Sequence, residues 1–194
     1  MKYSLRVLFL TIALACTTAF AQTVTVNSGV TQVKLSSELV TALTALNVAP
    51  GTVNPTQLVD GTASFPITGG AVDAENAKGE IAHSGGLTLS KGSTIVRLQS
   101  FTIDTTGAAP VLTGLVVVNN SVLGRLPLFG LQLPSGFTLP IKPVAGVRVN
   151  LSGVRVTLTQ GAADALNSVF KTSAFAGGLR IGWATVSSVV STSY

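Results

Sequence analysis

Phe65-Pro66-Ile67-Thr68-Gly69-Gly70 and, after a short polar interval, Glu80-Ile81-Ala82-His83-Ser84-Gly85-Gly86-Leu87-Thr88-Leu89 decide how the sequence is read. The stretch from Phe65 to Leu89 holds the single histidine, two Gly-Gly pairs and three of the seven carboxylates, Asp73, Glu75 and Glu80. Glu80–His83 and Leu87–Leu89 have the length of short strands on either side of Ser84-Gly85-Gly86. Glycines there allow positive φ or close backbone approach. Asp73–Lys78 is polar and turn-like. Residues before this stretch read as export signal and lead-in, and those after it as β-structure.

Toward the N-terminus, residues 1–21 read as a secretory signal. Lys2 and Arg6 form the positive region, Leu5–Cys16 is mainly apolar but too short to span a bilayer, and Ala19-Phe20-Ala21 is a small-x-small cleavage site. Gln22 then begins the mature chain. Lipoprotein processing at Cys16, after Ala13-Leu14-Ala15, is the alternative. Cleavage after Ala21 leaves no cysteine, hence no disulfide, thiol nucleophile or thiolate metal site. Stability then rests on burial and strand pairing. Thr23-Val24-Thr25-Val26 alternates as a first strand. Ser36 or Ser37 caps a helix with Glu38 in its first turn and Leu39, Val40, Leu43 and Leu46 in one stripe, stopped by Ala49-Pro50-Gly51. The stripe suits a helix laid over the end of a sheet better than a partner-binding helix. Residues 51–60 read as a loop.

Toward the C-terminus, Ser93–Asp104 alternates with a phase shift near Ser100. Val111–Val118 is an apolar run long enough for a strand buried on both faces, and Asn119-Asn120 turns it into Val122–Leu133. Pro127 makes that return an edge or interrupted strand. Pro134–Pro143 is a loop. Val147–Leu151 and Val154–Leu158 flip apolar parity across Ser152-Gly153. A two-residue hairpin explains this, with Arg148 and Arg155 on one outer face, and a bulge in one long strand is the alternative. Thr159 caps a second helix over Gly161–Phe170, with Ala162, Leu166, Val169 and Phe170 inward. Gly178–Val190 is the last strand, with Trp183 in the core or at its rim.

The fold class is therefore mainly β, an antiparallel β-sandwich or barrel-like domain of eight to ten strands with two short helices. Residues 22–194 form a single secreted domain. Of 194 residues, 46% are hydrophobic and 10% charged, which excludes a disordered chain. Without Lys2 and Arg6 the chain has 10 basic and 7 acidic residues, and the basic ones are scattered singly. With few aromatics, this excludes nucleic-acid binding. Catalytic constellations are missing as well. His83 is the only base for a triad, Ser84 points to the opposite face of its strand, and no nucleophile elbow is present. Glu75 and Glu80 lie near each other in sequence, but Lys78 between them suggests a solvated turn, and one histidine without cysteine gives no zinc set. The chain reads as no enzyme, with no catalytic and no metal-ligating residues. A small outer-membrane barrel is disfavoured, because Val186, Ser188, Val190 and Thr192 make a poor terminal pattern and 6% aromatics are too few for two girdles. The mature chain thus has no transmembrane segment.

His83 is read first as a strand residue with a hydrogen-bonded ring, second as a ligand contact beside a glycine-rich turn, and third as a metal ligand. Gly79-Glu80-Ile81-Ala82-His83-Ser84-Gly85-Gly86-Leu87, with Phe65–Gly70, Gly124–Phe129, Leu158-Thr159, Ala162–Asn167, Phe175–Gly178 and Ile181-Gly182, resembles the bacterial haem-transport-associated, HtaA-type domain. The similarity spans most of residues 60–190 and is strongest around His83. It implies a β-rich secreted domain, periplasmic, cell-surface or extracellular, with haem contact near His83. The family's haem iron is ligated by a tyrosine with a supporting histidine. Here the tyrosines are Tyr3 and Tyr194, and neither lies where that ligand would. His83 carries over as a residue, and Gly85-Gly86 carries over as backbone shape. Two roles follow. The main one is a non-enzymatic secreted or cell-surface domain with a structural, adhesive or interaction role and a protein or cell-surface partner. The alternative is an HtaA-like binder of haem or a small apolar ligand at His83, Ser84, Gly85 and Gly86.

Overall fold

The computed structural model describes residues 22–142 and 148–193. The segment 1–21 expected to be a signal, Pro143 at the end of the expected loop, Val147 and Tyr194 lie outside them. The described elements run β1 (Thr23–Leu35), α1 (Ser37–Ala45), β2 (Ala49–Val53), β3 (Gln57–Val59), β4 (Thr62–Asp73), β5 (Gly79–His83), β6 (Gly86–Lys91), β7 (Thr94–Asp104), β8 (Val111–Val118), β9 (Ser121–Gln132), β10 (Arg148–Leu158), α2 (Gln160–Phe170) and β11 (Arg180–Ser193).

All described pairings are antiparallel. The order β7-β5-β4-β1-β11-β10-β9-β8 closes on itself, because β8 also pairs with β7. The mainly-β expectation thus resolves into a closed eight-stranded barrel. β6 and β2 extend a ribbon from the free part of one β7 edge, and β3 pairs with β4. Closure removes sheet edges, and eight strands leave an interior that side chains fill or that holds one small ligand.

Alternation sorts the faces. Along β11, Ala184 and Val190 face inward and are buried, while Trp183 between Gly182 and Ala184 is 47% exposed. Trp183 is therefore neither core nor rim. It stands on the outer wall, in register with Lys34 on β1 and Arg155 on β10. Apolar inside and charged outside is the reverse of a membrane-spanning barrel. No described helix is long and apolar enough to cross a membrane.

The main core centres on Phe101. Its ring meets Phe65 edge-on at 5.4 Å between centroids and Phe129 at 6.4 Å. Gly114 makes room for it, since a Cβ there would come within 2.8 Å of the Phe101 ring. Both helices cover this end of the barrel. Ser36 caps α1 through the Leu39 amide at 3.1 Å, and Thr159 caps α2 through the Ala162 amide at 3.2 Å. α2 buries Ala162, Ala163, Leu166 and Phe170, while Val169 is only partly buried. Leu39, Leu43 and Leu46 pack from α1, but Val40 is 49% exposed, so the helical stripe is one residue narrower than its sequence suggests.

Three further expectations are corrected. Residues 51–60 are not a loop. β2 begins at Ala49 and β3 follows, because β6 and β4 offer unpaired edges that local turn residues cannot announce. For the same reason Ala49-Pro50-Gly51 is strand, and α1 ends instead at Leu46 and Asn47, the latter at φ 53°. Ser152-Gly153 is not a hairpin turn. Leu151 pairs with Val186 and Val154 with Ala184, so the two residues bulge opposite Thr185 within one strand. Gly153 takes φ +77° there, and the bulge returns Val154, Val156 and Leu158 to the inner face. The phase shift near Ser100 is a real irregularity, with Ser100 at φ 52°. Pro127 sits where β9 lacks its β10 partner, since that pairing covers only Phe129–Gln132.

Phe101→Ala is expected to lower the unfolding free energy by about 3–5 kcal/mol, against about 1 kcal/mol for Gly153→Ala. Urea denaturation checks both. A Gly153→Ala cost equal to that of Phe101→Ala would contradict an isolated bulge.

Candidate functional site

His83 ends β5 at the point where the chain leaves the barrel wall. β5 and β6 lie end to end along one edge of β7, β5 against Thr102–Asp104 and β6 against Thr94–Gln99. The Ser84-Gly85 step bridges the gap, and the Ser100 amide donates to Gly85 O at 2.9 Å. Gly85 has φ +80°, and a Cβ on it would stand 2.3 Å from Thr56 Oγ1. The Gly86 amide donates to that same hydroxyl at 2.9 Å. The Ser84 amide donates to Pro66 O at 3.0 Å. The glycine pair thus serves close backbone approach to Thr56 and β7.

His83 itself points into the barrel and is buried. Its Nδ1 lies 3.1 Å from Ile81 O and its Nε2 lies 2.7 Å from Thr31 Oγ1. A carbonyl only accepts, so Nδ1 carries the proton and Nε2 accepts from the Thr31 hydroxyl. Both ring nitrogens are thereby occupied. Burial lowers its pKa from 6.5 to about 4, an effect the Ile81 and Phe101 backbone groups partly offset.

Thr31 and Ser188 are the buried polar neighbours of this region on β1 and β11. By register they sit between two apolar clusters. Phe65, opposite Thr31, belongs to the large one. Ile67, opposite His83, belongs to a smaller one with Val24, Val26, Ala74 and Val190. Beyond this polar layer, at the end away from the helices, lies an apolar cavity of about 160 Å³. Val26, Ile81, Ile103, Leu151, Val186 and Ser188 are among its wall residues, drawn from five strands. Phe137 and Ile141 line it from the strap that follows β9, which is tied across the barrel end by Ile141 N to Ala74 O at 2.7 Å. His83, Ser84, Gly85 and Gly86 do not line it.

The arrangement does not suit iron ligation. The usual axial ligands to haem are His, Cys, Met and Tyr. Among the described residues the only such side chain is His83, with both nitrogens engaged. The cavity is also well below the ~300–1,000 Å³ of pockets that take drug-sized ligands. Among the described residues no three His, Cys, Asp or Glu side chains gather as a metal set.

The same fold occurs in solved structures. The C-terminal domain of HtaA from Corynebacterium glutamicum superposes with a TM-score of 0.64 at 18% identity, over 86% of this chain and 99% of that one. The N-terminal domain of HtaA from the same organism gives 0.61 at 11%, over 86% and 98%. The heme binding protein HtaB, also from C. glutamicum, gives 0.56 at 11%, over 89% and 98%. The chain has the HtaA-type fold. No family model matches the sequence, and no curated protein does. The resemblance read from the segment around His83 therefore holds at the level of fold. The cavity escaped sequence reading because its lining residues, scattered from Val24 to Val190, carry no local signal beyond strand alternation.

The histidine gives a pH test. An unfolded chain binds the His83 proton near 6.5 and the folded one near 4. Between those values the unfolded state holds more protons, so stability falls as pH drops from about 6.5 toward 4 and levels off below. The loss should approach about 3 kcal/mol. Denaturant unfolding at pH 7 and 4.5 should show it, and His83→Gln should remove that slope. A histidine NMR titration with its midpoint at 6.5 would refute the burial argument.

Proposed function

We propose that the chain is an exported, non-enzymatic small-ligand-binding protein built on the HtaA-type barrel. The observation that carries this is the apolar cavity of about 160 Å³ inside a barrel whose solved counterparts include a heme binding protein. An eight-stranded barrel built only as scaffold fills its interior with side chains. The comparison favours the ligand-binding reading over the structural or adhesive one. The centre of binding moves from the His83 turn to the end of the barrel covered by the strap, while His83 is held beside it by Thr31 without lining the cavity. The signal read in residues 1–21 supports export, to the periplasm, the cell surface or the medium.

Haem itself is the second reading, favoured by the likeness to HtaB. The missing axial ligand among the described residues weighs against an iron-ligated complex. Haemin titration into the purified protein, followed at the Soret band beside His83→Ala, separates the two. Under the small-ligand reading the protein produces no saturable band of ligated iron, while small neutral aromatics raise the melting temperature with a concentration dependence that saturates. A saturable Soret shift abolished in His83→Ala would install haem and His83 instead. Failure of every ligand would return the protein to a structural or adhesive role.

A further inference from the structure

We propose that the cavity at the strap end is a binding site for a neutral molecule the size of a single ring, carrying one hydroxyl or carbonyl group that hydrogen-bonds Ser188 Oγ. This rests on the ligand-binding reading above and specifies its ligand.

Size comes first. An apolar cavity of about 150 Å³ is known to stay dry and to accept benzene. The cavity here, about 160 Å³, has the same capacity. Charge follows from the lining. Among the described residues no Lys, Arg, Asp, Glu or His side chain lines it, so an ionised ligand would lose its hydration with nothing to replace it.

The polar group is assigned from the two hydroxyls in the wall, Thr105 and Ser188. Thr105 Oγ1 is engaged. It donates to Ala77 O at 2.5 Å and accepts from the Gly79 amide at 2.9 Å. Ser188 is 5% exposed, and among the described residues its hydroxyl has no hydrogen-bond partner. It lies opposite Gly29 on β1 and Val149 on β10, and neither offers a side-chain polar atom. Ser188 lines the cavity from the inner face of β11, so its hydroxyl is within reach of an occupant. Water is a poor occupant, because an ordered buried water needs about two to four polar partners and the free hydroxyl is one. A ligand with one hydrogen-bonding group and an otherwise apolar body satisfies the hydroxyl and fills the space together.

Phenol, toluene and benzoate are the probes, added to the purified protein and read by calorimetry and by saturation-transfer NMR. Phenol is expected to bind saturably, toluene about fivefold more weakly, as befits loss of one hydrogen bond, and benzoate not at all. Ser188→Ala should bring phenol down to the toluene level and leave toluene unchanged, which also shows that the variant is folded. Val186→Phe, which fills the cavity, should remove both. Equal affinities for phenol and toluene, or phenol binding untouched by Ser188→Ala, would overturn the proposal. So would the absence of binding by all three probes. If haemin binds in that last case, only this inference falls, and if haemin also fails, the ligand-binding reading falls with it.

Discussion

Closure of the strand ring through β7 is the constraint on which the rest of the structure depends. β7 pairs with β8 along one edge and with β5 and β6, end to end, along the other. An open sheet of this length would expose a row of unpaired amides and carbonyls and leave the face of every strand ambiguous. Once the ring closes, period-2 alternation decides for each residue whether it faces core or solvent. Phe65, Phe101, Ala184 and Val190 go in, and Lys34, Arg155 and Trp183 go out. The irregularities serve the same end. The bulge at Ser152-Gly153 and the break near Ser100 keep apolar residues inside where strict alternation would have turned them out.

The position of His83 follows from that closure. One edge of β7 must serve two strands, so the chain steps from the barrel wall to the outer ribbon between them. The step needs residues without side chains where Thr56 and the β7 backbone come close, which is what Gly85 and Gly86 supply. The residue before the step still faces inward. A histidine there is tolerated because Ile81 O and the Thr31 hydroxyl together take both ring nitrogens. Geometry and electrostatics agree, since the same burial that makes those two bonds necessary also depresses the pKa.

Much of this was legible in the sequence, and the limits have physical causes. Strand alternation marked most strands of the ring, both helix caps, the Ser100 irregularity and the interruption at Pro127, because each depends on local chemistry. What local chemistry cannot carry is pairing. β2 and β3 look like loop until the edges of β6 and β4 are present to hydrogen-bond them. The parity flip at Ser152-Gly153 reads first as a hairpin on local chemistry, and only the continuous partner β11 selects the bulge. Trp183 reads as core or rim by residue type, whereas its parity on β11 puts it outside. At the site, the sequence drew the eye to the lone histidine and its glycines because they are chemically conspicuous. The cavity is made of valines, leucines and isoleucines that are conspicuous nowhere.

The two ends of the barrel solve the same problem differently. At one end, helices α1 and α2 insert whole apolar faces, and Phe65, Phe101, Phe129, Phe170 and Phe175 supply the bulk to fill the interior. At the other, the smaller cluster is built from Val, Ile and Ala, without a buried aromatic ring. Aliphatic side chains on eight strands cannot reach the axis as phenylalanines do, and the closure there is a strap. Space is therefore left where small residues meet a strap, and Val154 and Leu131 join its wall to the filled half. A barrel that needed only to be stable would gain by placing one more large side chain among Val26, Val186 and Val190. The retained volume, with Ser188 in its wall, is the feature on which the proposed binding role rests.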